Sequence, residues 1–238
     1  MKTTFKLLTL LLLVTFSNCE TAEKLEYKYA NKAKLLSCDL PNGELYKEAV
    51  YAFENDIINT YDNQNRNLSK CYSNFLNLRQ RGNVKVTELA SEHTLKIAKA
   101  LKDETSLWNT NNEITSLNNS NALIDCIANS IKIKDVKTTF NALLSTNSLT
   151  TKNVSPLLTN NSRFVQADGS LKTYVALQFY YSQLLNVKLE DLKNPNPKTQ
   201  PEPAKPALNG VDINRTPKQT APVQTVDPKD PHAGHNHD

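Results

Sequence analysis

The fold class this sequence predicts is all-α, a compact multi-helix bundle with a disordered Pro-rich C-terminal tail, and three observations predict it. Between about residues 40 and 192 the apolar residues recur at three- and four-residue steps and never alternate cleanly. Only 5 glycines occur in 238 residues, and no two lie close enough for a phosphate-cradling loop. Nine of the 11 prolines, from Pro195 to Pro231, fall after residue 192. With 39% hydrophobic residues and a mean hydropathy of −0.52, the chain has enough apolar material for one ordinary domain with its own core.

The elements follow in order. Tyr46, Val50, Phe53, Ile57 and Tyr61 share one face of a helix over 44–61. Leu68, Cys71, Tyr72, Phe75 and Leu78 repeat the pattern over 66–80, which stops before Gly82. Thr87 is expected to cap a third helix carrying Ala90, Ile97 and Leu101. Further helices are expected over 121–132 and over 135–146, the latter with Asp135 as cap and Val136, Phe140, Leu143 and Leu144 on its face. Another is expected over 155–163, where Ser155-Pro156 reads as a cap with proline in the first turn. Residues 170–186 are apolar nearly all round, which predicts a helix at the centre of the bundle. Residues 20–36 read equally as tether or first helix, and the Asn-rich stretch 109–121 as a loop. Residues 193–238 contain no aromatic residue and cannot bury enough apolar surface to offset chain ordering. The expected organisation is therefore 1–18 leader, 19–39 tether, 40–192 helical domain and 193–238 tail.

The leader is read from Lys2 and Lys6, followed by the apolar run Leu7–Phe16, which is too short to span a bilayer. It ends in Phe16-Ser17-Asn18-Cys19. Over these first 20 residues the chain resembles a bacterial lipoprotein signal in relaxed form, with Phe16 and Asn18 in place of the usual Leu and Gly or Ala. The resemblance implies lipidation of Cys19, anchoring to a lipid bilayer in the cell envelope, and, from Glu20 after the cysteine, an outer-membrane default. The alternative is cleavage after Ser17 and simple secretion. No family is recognised for the helical domain.

Export places the remaining thiols where disulfides persist. With Cys19 lipidated, Cys38, Cys71 and Cys126 are left, enough for one bond. If helices 44–61 and 66–80 form a hairpin, Cys71 lies ~18 Å from the start of the first helix, beyond which Cys38 sits. Cys126 is then the shared partner, and a Cys71–Cys126 bond is favoured because both lie in helical stretches. The alternative is that all three are small buried apolar residues.

Three histidines, His232, His235 and His237, crowd the last seven residues. Imidazoles suit Zn²⁺, Cu²⁺ and Ni²⁺, Asp230 and Asp238 can add oxygen donors, and Gly234 lets the ligands converge. A divalent metal at this tail is the one cofactor expected; the bland alternative is a solubilising tail. His93 lies beside an apolar helical face, flanked by Leu89 and Ile97, where a histidine is more often a hydrogen-bonded boundary residue than a base. Glu88 and Glu92 do not complete HExxH with it. Tyr180, Tyr181 and Trp108 read as core rather than pocket wall. No CxxC, GxSxG, SxxK or EF-hand loop occurs, so no catalytic constellation can be assembled. The formal net charge of +4 falls to +2 once Lys2 and Lys6 are removed with the leader, which excludes nucleic acid as a partner. The function expected is that of an exported, lipid-anchored cell-envelope protein, a non-catalytic interaction or scaffold module for an envelope protein, and not an enzyme. The alternative is a metal-binding accessory protein.

Overall fold

Tyr46, Val50, Phe53 and Ile57 turn inward as their spacing requires and wind Gly43–Tyr61 into a 19-residue helix, α1. These positions are seen in a computed structural model that describes residues 25–109 and 115–193. The chain turns at Arg66 (φ 53°), where Asp62 accepts hydrogen bonds from the Asn65 side chain and the Asn67 amide. Asn67 then caps α2 (Leu68–Gln80) by accepting from the Lys70 N–H. The α1–α2 pair is a hairpin, with Phe53 against Phe75 (ring centroids 4.9 Å) and Tyr72 bonded to Glu54. It ends at Gly82, whose φ of 74° suits a residue without Cβ.

The single helix expected from Thr87 is two: α3 (Val86–Leu89) and α4 (Glu92–Lys102). Ser91, not Thr87, is the cap. Its side chain accepts from the Thr94 N–H, while its own N–H donates to Asp56 on α1, which holds the chain extended at the break. A 3₁₀ turn (Thr105–Leu107) leads into a two-stranded antiparallel pair, β1 (Trp108–Asn109) and β2 (Ser116–Leu117), with Trp108 opposite Leu117. This pair lies inside the stretch expected as loop.

Asn121 caps α5 (Ala122–Ser130). In α6 (Lys134–Ser145) Asp135 lies in the first turn instead of capping. The next helix, α7 (Thr151–Asn160), starts earlier than Ser155-Pro156 suggests. Thr150 caps it by accepting from the Asn153 N–H, and Pro156 sits inside on the exposed side. After the short α8 (Ser162–Val165), Asp168 caps α9 (Gly169–Val175) through the Ser170 and Leu171 amides and also accepts from Lys132 N–H.

The chain continues as a π-helical stretch, Ala176–Tyr181, into α10 (Ser182–Leu184), and α11 (Leu189–Lys193) ends the described residues. Every residue from Thr173 to Ser182 is buried, as the all-round apolar pattern predicts for a central helix. Tyr180 packs between Phe53 and Phe75 in the aromatic heart of the core. The described part of the chain is thus an all-α bundle with one minimal strand pair.

Residues 25–42 are neither helix nor loose tether. Leu36 enters the core, and the Tyr51 hydroxyl and Lys47 ammonium on α1 donate to the carbonyls of Ala33 and Ala30. The Leu35 carbonyl lies so close to Gly169 that a Cβ there would overlap it. Cys38 is bonded to Cys126 on α5, with Cα atoms 6.0 Å apart, and Cys71 is a free, fully buried thiol. This corrects the favoured Cys71–Cys126 bond. Cys126 is the shared partner, but α5 packs on α9 and under the 25–42 segment rather than beside α2. A bond closing 88 residues removes about 4.6 kcal/mol of unfolded-chain freedom in the entropic account.

Candidate functional site

Helix α1 carries charged side chains in the interior, and its three buried acids hold different segments. Glu48, with no exposed surface, accepts from the amides of Lys28 (2.7 Å) and Tyr29 (2.8 Å) and from His93 Nε2 (2.7 Å). Glu54 accepts from the Tyr72 hydroxyl (3.1 Å) and pairs with Lys172 on α9 (2.8 Å). Asp56 Oδ2 takes the Tyr180 hydroxyl (2.8 Å), the Ser91 N–H and a short bond from the Thr94 hydroxyl. Lys47 pairs with Glu44 at 2.6 Å. Burial raises the Asp56 carboxyl above its ordinary value, against the downward pull of its three donors. Burial likewise pushes the Tyr180 and Tyr72 phenols well up, reinforced by the carboxylates they bond.

His93 is therefore a hydrogen-bonded boundary residue whose partner, Glu48, comes from α1. The α3–α4 break removes Leu89 from its helical face. Among the described residues no hydroxyl or thiol hydrogen-bonds to its ring. Cys71 lies on α2, where burial raises its thiol, and Cys126 is in the disulfide. Tyr180 and Tyr181 are core, with the Tyr181 hydroxyl donating to the Ala49 carbonyl, and the Trp108 ring N–H donates to the Leu101 carbonyl. Among the described residues no group of three His, Cys, Asp or Glu is placed to hold a metal. Cys19, His232, His235 and His237 lie outside the described residues.

Sequence reasoning missed an open groove of about 1280 Å³. It lies where the C-terminal end of α2, strand β2 with the turn after it, and the start of α7 meet. Gln178, held in the buried π-helical stretch, braces the walls: its side-chain oxygen accepts from the Leu117 N–H and its amide nitrogen donates to the Thr151 hydroxyl, both at 2.8 Å. Asn118 and Asn119 fix the β2 turn by donating to the carbonyls of Ser106 and Leu149. Arg79 Nε donates to the Phe179 carbonyl (3.2 Å), which leaves the two terminal nitrogens of a half-buried guanidinium without an acidic partner among the described residues. Burial lowers its pKa from the ordinary arginine value. Lys152, Asn147 and Gln80 also line the groove, and their side chains bond to no described residue. The described lining residues include no carboxylate and no aromatic ring.

Compared with known proteins, the chain matches no family model, no curated sequence and no solved structure.

Proposed function

We propose that this chain is an exported, lipid-anchored cell-envelope protein whose helical domain is a non-catalytic interaction module for an envelope partner. The observation that carries the reading is the apolar leader ending at Cys19. The Cys38–Cys126 disulfide supports it independently, since such bonds persist in oxidising compartments. No helix among the described residues is long and apolar enough to cross a membrane, so the anchor in this reading is the lipid on Cys19.

The test follows the full chain and a Cys19→Ser variant in a bacterial host fed radiolabelled palmitate. The full chain is expected to take up label and fractionate with membranes, and the variant to do neither. An unlabelled, secreted product replaces anchoring with simple secretion. Cytoplasmic retention with Cys38 and Cys126 reduced overturns export altogether.

A second reading is favoured by the clustering of His232, His235 and His237 around Gly234: the tail captures a divalent metal for transfer. Zn²⁺ titrated calorimetrically into the full chain is expected to bind, and to lose that binding when all three histidines become alanine. Equal heats from both proteins exclude this reading.

A further inference from the structure

We propose that the groove between α2, β2 and α7 is a binding site for an anionic oligosaccharide. Four features carry this. First, the described lining residues include two cations, Arg79 and Lys152, and no carboxylate, so the field they set favours an anion. Second, Arg79 is fixed by its Nε bond to Phe179 and half removed from water, yet its terminal nitrogens meet no acid among the described residues. Such an arrangement presents a planar two-pronged donor matched to a carboxylate or an ester oxyanion. Third, the side chains of Gln80, Asn147 and Lys152 bond to no described residue, while Gln178, Asn118 and Asn119 spend theirs holding the walls. A hydroxyl-rich ligand uses such free amide donors and acceptors. Fourth, the groove is open and its described lining holds no aromatic ring, which fits a chain laid along it and gives a nucleobase no described ring to stack on. The buried charges of α1 are paired within the fold, whereas Gln80, Asn147, Lys152 and the terminal nitrogens of Arg79 in the groove meet no acidic partner among the described residues.

The inference does not depend on where the chain resides, so it is tested on the full chain in solution. Trp108, the one tryptophan, directly precedes Asn109, a groove residue, and reports occupancy by fluorescence. The probes are oligogalacturonate, which carries carboxylates, dextran sulfate, which carries sulfate esters, neutral dextran, and oligo(dT). Saturable binding of one or both charged sugars is expected, weakened at high salt, with neutral dextran silent. Which charged sugar binds identifies the anionic group. Arg79→Gln is expected to weaken binding tenfold or more, the usual cost of a lost charged hydrogen bond, and Lys152→Gln about threefold. Neutral dextran binding as tightly, oligo(dT) binding as tightly, or neither charged sugar binding overturns the proposal. Because Arg79 also bonds the Phe179 carbonyl, Lys152→Gln decides alone if Arg79→Gln shifts the melting temperature; an affinity unchanged by Lys152→Gln then overturns it.

Discussion

The polar groups around α1 and those lining the groove are alike in type and opposite in circumstance. Glu48, Glu54 and Asp56 are buried, and the protein supplies donors for each of them, from the N-terminal segment, from α2 and α9, and from the α3–α4 break with the π-helical stretch. In the groove, Arg79, Lys152, Asn147 and Gln80 stand at the surface and receive little from the fold. A buried charge is tolerated only when paired and hydrogen-bonded, so the first set is bound to structure. In the second set Arg79 is half-buried and the other three are exposed, and side chains not engaged by the fold are available to something else. Hydrogen-bond satisfaction, more than polarity, separates the scaffold of this domain from its candidate binding surface.

That contrast can be broken by measurement. The largest effect is expected from Glu48→Ala, which strands two amide donors and the His93 ring in a closed interior; the loss should be about 3–5 kcal/mol in urea unfolding. A loss below about 1 kcal/mol would make Glu48 no more structural than a surface charge. Asp56→Asn should have a smaller effect whose sign depends on pH. Burial places the folded pKa of Asp56 above its unfolded value near 3.8. The folded state therefore binds the proton more readily, and the contribution of Asp56 to stability grows as pH falls through the raised pKa toward 3.8. Wild type should gain on Asp56→Asn across that window, and parallel stability–pH curves would remove Asp56 from the set of buried charges. The smallest effect belongs to Lys152→Gln, within about 0.5 kcal/mol of wild type, as for an exposed side chain without partners. A cost above about 1 kcal/mol would assign the groove cation to structure.

The bundle was legible because apolar spacing is a local signal: α1, α2 and the central 170–186 stretch are buried on the faces their periodicity marks. Helix starts were less so, because several residues compete as caps. Thr87 and Ser155 have the chemistry, but Ser91 and Thr150 win, Ser91 because Asp56 holds its amide from a helix 35 residues away. The buried charges of α1 were illegible for a related reason. Glu48 and Asp56 look like a solvated face until the segments that cover them are known. Cys38 was assigned no favoured partner because nothing local shows residues 25–42 folding back over α1 to α5. The groove draws its residues from separate segments, so no motif could announce it; the one hint was the density of asparagine over 109–121.

The grip of Glu48 on the amides of Lys28 and Tyr29 also sets a leash. Five residues separate Cys19 from Leu25, which makes six Cα-to-Cα steps, and an extended chain covers at most about 3.6 Å per step, so the reach is about 22 Å. That is shorter than α1, whose 19 residues rise about 28 Å. Under the anchoring proposed above, the domain cannot tumble freely over the bilayer. The surface formed by residues 25–34 must face the lipid, with the exposed ammonium groups of Lys28 and Lys32 at headgroup distance, where anionic lipids would hold that orientation at about 1 kcal/mol per charge. Lengthening the stretch between Cys19 and Leu25 would release the domain without touching its fold.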